Sequence, residues 1–189
     1  MENRSPTTLP TAPVRLAGQS IVLREWDEED VPALIEMYDD PEISRWTPVP
    51  SPFDLTAARE YLGRAREARV AGRRMQLAIT AEGGQPQGEV LLFQDDLDDR
   101  DIELAYGVGP RYRRRGLASA AVVVATEYAV RHLGARRVLL RIEAENAPSA
   151  AVARAAGFVP GADELVAREA KGRRVLLRTW CHGNGAPAS

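Results

Sequence analysis

The chain has 189 residues, a formal net charge of −2, 44% hydrophobic and 28% charged residues, and a single cysteine. That length suits one domain with its own core and is short for two. The near-neutral balance argues against general nucleic-acid binding, which shows an excess of basic charge, and one cysteine excludes an intrachain disulfide or a multi-cysteine metal site.

No apolar run approaches the length of a membrane span, and the polar first residues show no signal-peptide core. Only His132 and His182 add to Cys181, so no zinc-type ligand cluster is expected, and the expected location is cytoplasmic. Residues 1–14, rich in proline and threonine, are expected as a flexible tail, and so are 182–189. One domain is expected over residues 15–181, with no internal repeat or linker.

Ile21–Arg24 predicts a short strand. "DEED" (27–30) then supplies acidic caps for a helix through Tyr38, with Pro32 tolerated only in its first turn. The proline-rich stretch 41–53 predicts a loop, and Leu55 to Val70 a second helix. Met75–Thr80 and Gly88–Phe93 predict strands joined by the turn "EGGQP" (82–86). The acidic run 95–101 predicts a solvated hairpin tip leading into a strand over Ile102–Val108.

From Gly116 the period changes: Leu117, Ala121, Val124 and Tyr128 share one helical face, with Gly134 as its stop. Val138–Ile142 predicts a strand, Pro148–Ala156 a helix ended by Gly157, and Val175–Cys181 the last strand. The strand–helix–strand unit over 102–142 forces a parallel pair, while the earlier short turns imply antiparallel neighbours. The fold class is α/β with a mixed sheet.

Between strand and helix lies "RYRRRGLASA" (111–120), four arginines beside one glycine. Unpaired N–H groups and the helix dipole favour an anion at such a junction, and the small Gly116 and Ala118 let it approach the backbone. The P-loop triplet and the third glycine of the dinucleotide fingerprint are both missing. Taken alone, an arginine-rich loop before a helix is more often a solvated surface than a ligand site.

Its neighbours bear on that choice. Residues Arg113-Arg114-Arg115-Gly116-Leu117-Ala118 fit the pattern Arg/Gln-x-x-Gly-x-Gly/Ala, and "NAPSAAVARAAGF" (146–158) follows across the next strand. The pair resembles the GNAT superfamily of acetyl-coenzyme A (acetyl-CoA) N-acetyltransferases. The segment 21–46, and Ser149 three residues after Asn146, resemble the RimJ/RimL-like branch of ribosomal-protein N-terminal acetyltransferases. The resemblance covers residues from about 18 to 181.

The resemblance implies a mixed, mostly antiparallel sheet of about seven strands with a parallel central pair, flanked by helices. It implies that the backbone N–H groups of Arg113, Arg114, Arg115, Gly116, Leu117 and Ala118 hold the cofactor pyrophosphate. The strand at Tyr106, Gly107 and Val108 would bond the pantetheine arm, as Asn146 would unless it caps the following helix. The branch builds its acceptor wall from the region of Arg45, Trp46 and Phe53, side chains that could also be simple packing.

Acetyl transfer needs a neutral amine, and an α-amine (pKa ~7.7–8) asks less of a base than a lysine (~10.4). Glu103 matches the glutamate that many members carry as base on this strand; otherwise it is a charge on an open strand face. The tyrosine that often protonates the departing thiolate is replaced here by Ala153, leaving Ser149 as the matching polar group. Cys181 and His182 point to opposite faces of a strand, so direct transfer in a ternary complex is expected rather than an acetyl-cysteine.

The expected function is therefore acetyl-CoA-dependent N-acetylation of a primary amine, with no metal, nucleic acid or membrane, by a monomer or homodimer. The alternatives are an acyl-CoA-binding module without catalysis and a nucleic-acid-associated protein using the arginine loop.

Overall fold

A computed structural model describes residues 7–182. The predicted strands form where apolar residues alternate, and they join one sheet. In chain order the elements are β1 (Leu16–Gly18), β2 (Ile21–Glu25), α1 (Val31–Tyr38), α2 (Pro41–Trp46), α3 (Leu55–Val70), β3 (Arg74–Thr80), β4 (Pro86–Gln94) and β5 (Ile102–Val108). Then follow α4 (Leu117–Arg131), β6 (Val138–Glu143), α5 (Ala147–Ala155), β7 (Val159–Pro160), β8 (Val166–Ala170) and β9 (Arg173–His182).

The strand order is β1-β2-β3-β4-β5-β6-β9-β7, with β8 also on β9. Only β5 and β6 run parallel, as the crossover through α4 requires. The sheet has nine strands among the described residues, against about seven expected. Beyond the six strands predicted along the chain, the edges add β1, β7 and β8, of three, two and five residues. Two of these are too short to show a period.

Each sheet face carries its own core. Val90, Leu92, Ile102 and Leu104 pack against Ala121, Val122 and Ala125 of α4. On the other face Leu34 and Met37 of α1 pack with Phe53 and with Ala58 and Leu62 of α3. Among the described residues no helix is long and apolar enough to cross a membrane.

"DEED" caps as expected: the Asp27 carboxylate accepts from the Glu29 N–H, Asp30 accepts from the Asp27 N–H, and Pro32 sits in the first turn of α1. The stretch 41–53 departs from expectation, since 41–46 is helical. The Asp40 carboxylate accepts from the Ile43 N–H, Pro41 pre-sets the first turn, and the buried Ile43 anchors it.

The proposed N-terminal tail is also corrected over 7–14. Thr7 and Leu9 are buried, the Thr7 N–H donates to the Asp99 carbonyl at 3.0 Å, and Arg69 donates to the Ala12 carbonyl. Proline richness here makes an extended strap, not a free end. His182 belongs to β9 rather than to a tail; residues 1–6 and 183–189 lie outside the described residues.

The acidic run 95–101 is not simply a solvated tip. Asp101, 0% exposed, meets both Arg136 (2.9 Å) and Arg137 (2.8 Å), and buried Asp95 meets Arg141 at 2.6 Å. These pairs bind the β4–β5 hairpin to β6 and so hold the parallel pair in register.

Candidate active site

The β5–β6 pairing stops early. It joins Ile102 to Val138, Glu103 to Leu139 and Leu104 to Leu140, although β5 continues to Val108 and β6 to Glu143. Beyond Leu104 the two strands part, and the N-termini of α4 and α5 flank the gap. Strand β5 keeps its other partner there, with Gly107 opposite Glu89 and Val108 opposite Gly88. Gly88 must lack a side chain, because a Cβ would stand 2.5 Å from the Gly107 carbonyl oxygen.

Two cavities meet at this gap. A groove of about 480 Å³ runs from Asn146, Ser149 and Tyr106 to Arg114, Gly116 and Ala118 at the start of α4. A second cavity of about 380 Å³ lies over the α1/α3 face, lined by Arg45, Trp46, Tyr61, Arg74, Glu103 and Arg168 among others. Trp46, Thr47, Tyr106, Gly107, Asn146 and Ser149 line both.

At the groove's outer end Gly116 has φ of 76° and ψ of 1°, the left-handed region that glycine enters without penalty. The first bond of α4 runs from the Ala120 N–H to the Gly116 carbonyl, and no side chain caps the helix. The N–H groups of Leu117, Ala118 and Ser119 therefore have no intrahelical acceptor. Unpaired N–H groups of this kind suit an anion.

The arginines divide into two kinds. Arg111 pairs with Glu36 at 2.9 Å, and Arg113 with Asp40 (2.5 Å) and Glu42 (2.6 Å), so both tie the loop to α1 and α2. Asp40's carboxyl, though burial opposes it, is held below its ordinary value by Arg113. Arg114 and Arg115 have no carboxylate partner among the described residues; Arg115 lies over the Tyr112 ring at 5.7 Å. Of the four, only Arg114 and Arg115 thus keep guanidinium groups without a carboxylate, and only Arg114 of these two lines the groove.

At the inner end Asn146 caps α5, its Oδ1 accepting the Ser149 N–H at 3.1 Å. Of its two anticipated roles, the capping one is realised. The Ser149 hydroxyl does not turn back onto the helix backbone; it lies 3.1 Å from the Tyr106 hydroxyl, which shares its one proton between that oxygen and the Ser149 carbonyl oxygen, also 3.1 Å away. Burial pushes the Tyr106 hydroxyl up to about 12, so it stays protonated at neutral pH. The ring packs on the α4 side while its hydroxyl reaches the gap.

Glu103 lines the second cavity but is only 3% exposed and fully engaged. Arg168 donates to both its oxygens, at 2.7 and 2.5 Å, and Arg141 stands 3.8 Å away. Burial raises its carboxyl above the ordinary value against the opposing pull of Arg168. It lies four residues from Gly107 along β5, roughly 13 Å at ~3.3 Å per residue. A carboxylate so held ties β8 to β5, and the base role anticipated for it loses its free oxygen.

Trp46 and Arg45 line the second cavity, with the Arg45 guanidinium 4.6 Å above the indole and 3.7 Å from Glu145. Phe53 does not. It is 1% exposed and packs on Tyr38 and Tyr61, ring centroids 5.0 and 5.9 Å away, so it is core and not acceptor wall. Cys181 is buried beside Asp163 and lines neither cavity.

Sequence reasoning missed Arg168, Tyr38, Tyr61 and Glu89. Arg168 sits in a weakly patterned strand. Glu89 carried a signal, an acid inside the apolar run "GEVLLF" (88–93), but its orientation depends on pairing.

A family model described as an acetyltransferase (GNAT) domain matches residues 20–159. The chain is 24% identical to an uncharacterized N-acetyltransferase, p20, of Bacillus licheniformis over 71% of this chain and 76% of that one. A ribosomal-protein-serine acetyltransferase structure from Vibrio cholerae, itself assigned only provisionally, superposes with a TM-score of 0.77 at 17% identity, over 89% of this chain and 97% of that one. RimJ of Mycobacterium smegmatis, solved with CoA-disulfide, gives 0.72 at 22% identity over 94% and 89%. Matched by the family model over most of its length and by the same fold in these structures, the chain belongs to the GNAT acetyltransferase domain family.

Proposed function

We propose that the protein is an acetyl-CoA-dependent N-acetyltransferase that moves an acetyl group directly to a primary amine in a ternary complex. The observation that carries this is the meeting of two cavities at the β5–β6 gap, one ending on an uncapped helix N-terminus and the other on polar and aromatic side chains. The cofactor groove accounts for acetyl-CoA: pyrophosphate at Gly116–Ser119, the pantetheine along Tyr106–Val108, and the thioester where both cavities share Gly107. That the RimJ relative was solved with CoA-disulfide supports this use of the fold.

As the amine attacks the thioester carbon, the C–S bond breaks and its electron pair leaves on sulfur. Ser149 is the nearest anticipated donor. Tyr106 donates to its oxygen, which frees the serine proton to point at the thiolate. A protonated tyrosine behind a serine thus takes over from the tyrosine that Ala153 replaces. The acceptor is a protein N-terminus or a small-molecule amine, entering past Trp46 and Arg45.

The test is CoA release from acetyl-CoA with a panel of peptide N-termini and small amines, alongside calorimetry of acetyl-CoA binding. Release with at least one amine supports the reading. Tight cofactor binding without any release would instead make the chain an acyl-CoA-binding module.

A further inference from the structure

Glu89 is 0% exposed at the centre of the sheet and makes no ion pair among the described residues. An isolated buried carboxylate is costly unless hydrogen bonds replace its water. Here Trp26 Nε1 donates to Oε1 at 2.7 Å and Gln76 Nε2 at 3.4 Å, while the hydroxyls of Tyr38 and Tyr61 both donate to Oε2, Tyr61 at 2.6 Å. The indole N–H and the Gln76 Nε2 group that face it are donors only, so the shell as arranged holds an anion.

Its position gives the group access to the reaction. Glu89 pairs across the sheet with Gly107, the residue shared by both cavities, and Tyr38 and Tyr61 line the acceptor cavity beside that glycine. Tyr38 is nearly buried, whereas Tyr61 is partly exposed and its hydroxyl lies 3.0 Å from that of Tyr38. Glu103, by contrast, is bound on both oxygens by Arg168.

Resting on the N-acetyltransferase reading, we propose that Tyr61 is a catalytic residue that receives the acceptor's ammonium proton, and that Glu89 is the positioning carboxylate that stores it. The ammonium gives one proton to Tyr61 Oη as the phenolic proton of Tyr61 passes to Glu89 Oε2. The freed lone pair forms the N–C bond to the thioester carbon, C–S breaks, Ser149 gives its proton to the sulfur, and the second N–H proton replaces it on the serine. Glu89 later returns its proton to solvent by the same route.

Burial and the Glu89 charge raise both phenols well above their ordinary value, so the tyrosines relay rather than store. Burial likewise raises Glu89, which makes it a better proton acceptor than a solvated carboxylate. The groups facing the cluster are Tyr38 of α1, Tyr61 of α3 and, near Tyr61, Arg74 of β3, with neutral Trp26 and Gln76. Only Arg74 is cationic.

The experiment uses the full chain, Glu89→Gln and Tyr61→Phe, with butylamine and glycinamide as probes. Binding of each amine to the protein–CoA complex is measured by calorimetry in two buffers of different ionisation enthalpy. In wild type butylamine binds without passing its proton to buffer; either variant changes that proton balance or weakens binding at least ~10-fold. With acetyl-CoA, either variant lowers kcat/KM for butylamine by ~10²–10⁴ near neutral pH, and the loss shrinks as pH rises toward the amine's own pKa. Glycinamide recovers ~2 units lower.

Tyr61→Phe keeps the ring packing and decides the matter if Glu89→Gln does not fold. Failure of wild type to bind either amine, a Tyr61→Phe in which both the proton balance and the amine affinity are unchanged, or a pH-independent loss would overturn the proposal. Amine binding with the expected proton balance but no CoA release from any acceptor would count against the transferase reading instead.

Discussion

Gly116→Ala separates the fold's demand on the arginine loop from the cofactor's. At φ of 76° an alanine Cβ crowds its own backbone, a cost of ~1–2 kcal/mol. Nothing lies within 4 Å of where that Cβ would be, so no clash adds to the strain. For a domain of this size the cost lowers Tm by ~2–8 °C, and the protein stays folded. The cofactor meets a different obstacle. The Cβ stands at the groove wall where a phosphate must reach the N–H groups of Leu117–Ser119. Losing one charge-assisted bond costs ~1.5–3 kcal/mol, which weakens acetyl-CoA binding ~10–100-fold. Gly116→Val, with a stiff branched side chain, weakens it further. Calorimetric titration with acetyl-CoA and a thermal melt on the same sample measure both terms. A folded Gly116→Ala with wild-type affinity would refute the placement of the pyrophosphate on this helix end.

Removing the carboxylate-free arginines together (Arg114→Ala, Arg115→Ala) weakens CoA binding more than dephospho-CoA binding, whereas Arg113→Ala lowers Tm through lost pairs to Asp40 and Glu42; equal effects on both cofactors would mean that only the backbone binds. Arg168→Ala strands the Glu103 carboxylate with only the more distant Arg141 and costs about 3 kcal/mol by denaturant unfolding, the low end for a broken buried pair; an unchanged midpoint would free Glu103 for a base role. Phe53→Ala costs ~3–5 kcal/mol of stability as a core deletion, with amine preference unchanged among molecules still folded in the cold. Arg100, and then Arg136, hold the Asp98 carboxyl well below its ordinary value. Its contribution to stability is therefore present above about pH 4 and lost as pH falls through the native value, so Asp98→Asn flattens the acid limb of a stability–pH curve.

Local chemistry was enough for the elements that obey a period. The face of α4 from Leu117 to Ala129, the strand Ile102–Val108 and the limits of α3 follow from spacing and caps, and each appears where spacing puts it. The parallel β5–β6 pair also followed, because a helical crossover leaves the returning strand no other direction. The open helix start was legible in Gly116 and Ala118, since small residues there expose its N–H groups whatever the rest of the chain does. Short elements escaped: α2 draws its stability from Asp40 and buried Ile43, and β8 exists only because β9 offers it an edge.

Partner choice needed the tertiary structure. The three consecutive arginines 113–115 read alike, yet Arg113 is spent on carboxylates of α1–α2 while Arg114 is not, because the loop folds back onto that corner. Glu103 and Glu89 are both acids in apolar strands. Which one faces a guanidinium and which one faces two phenols depends on helices and strands more than 20 residues away in sequence, joined only by sheet register and packing. Sequence spacing fixes what a residue can do over one turn or one strand; charge state and access to substrate are set by contacts that only the assembled sheet creates.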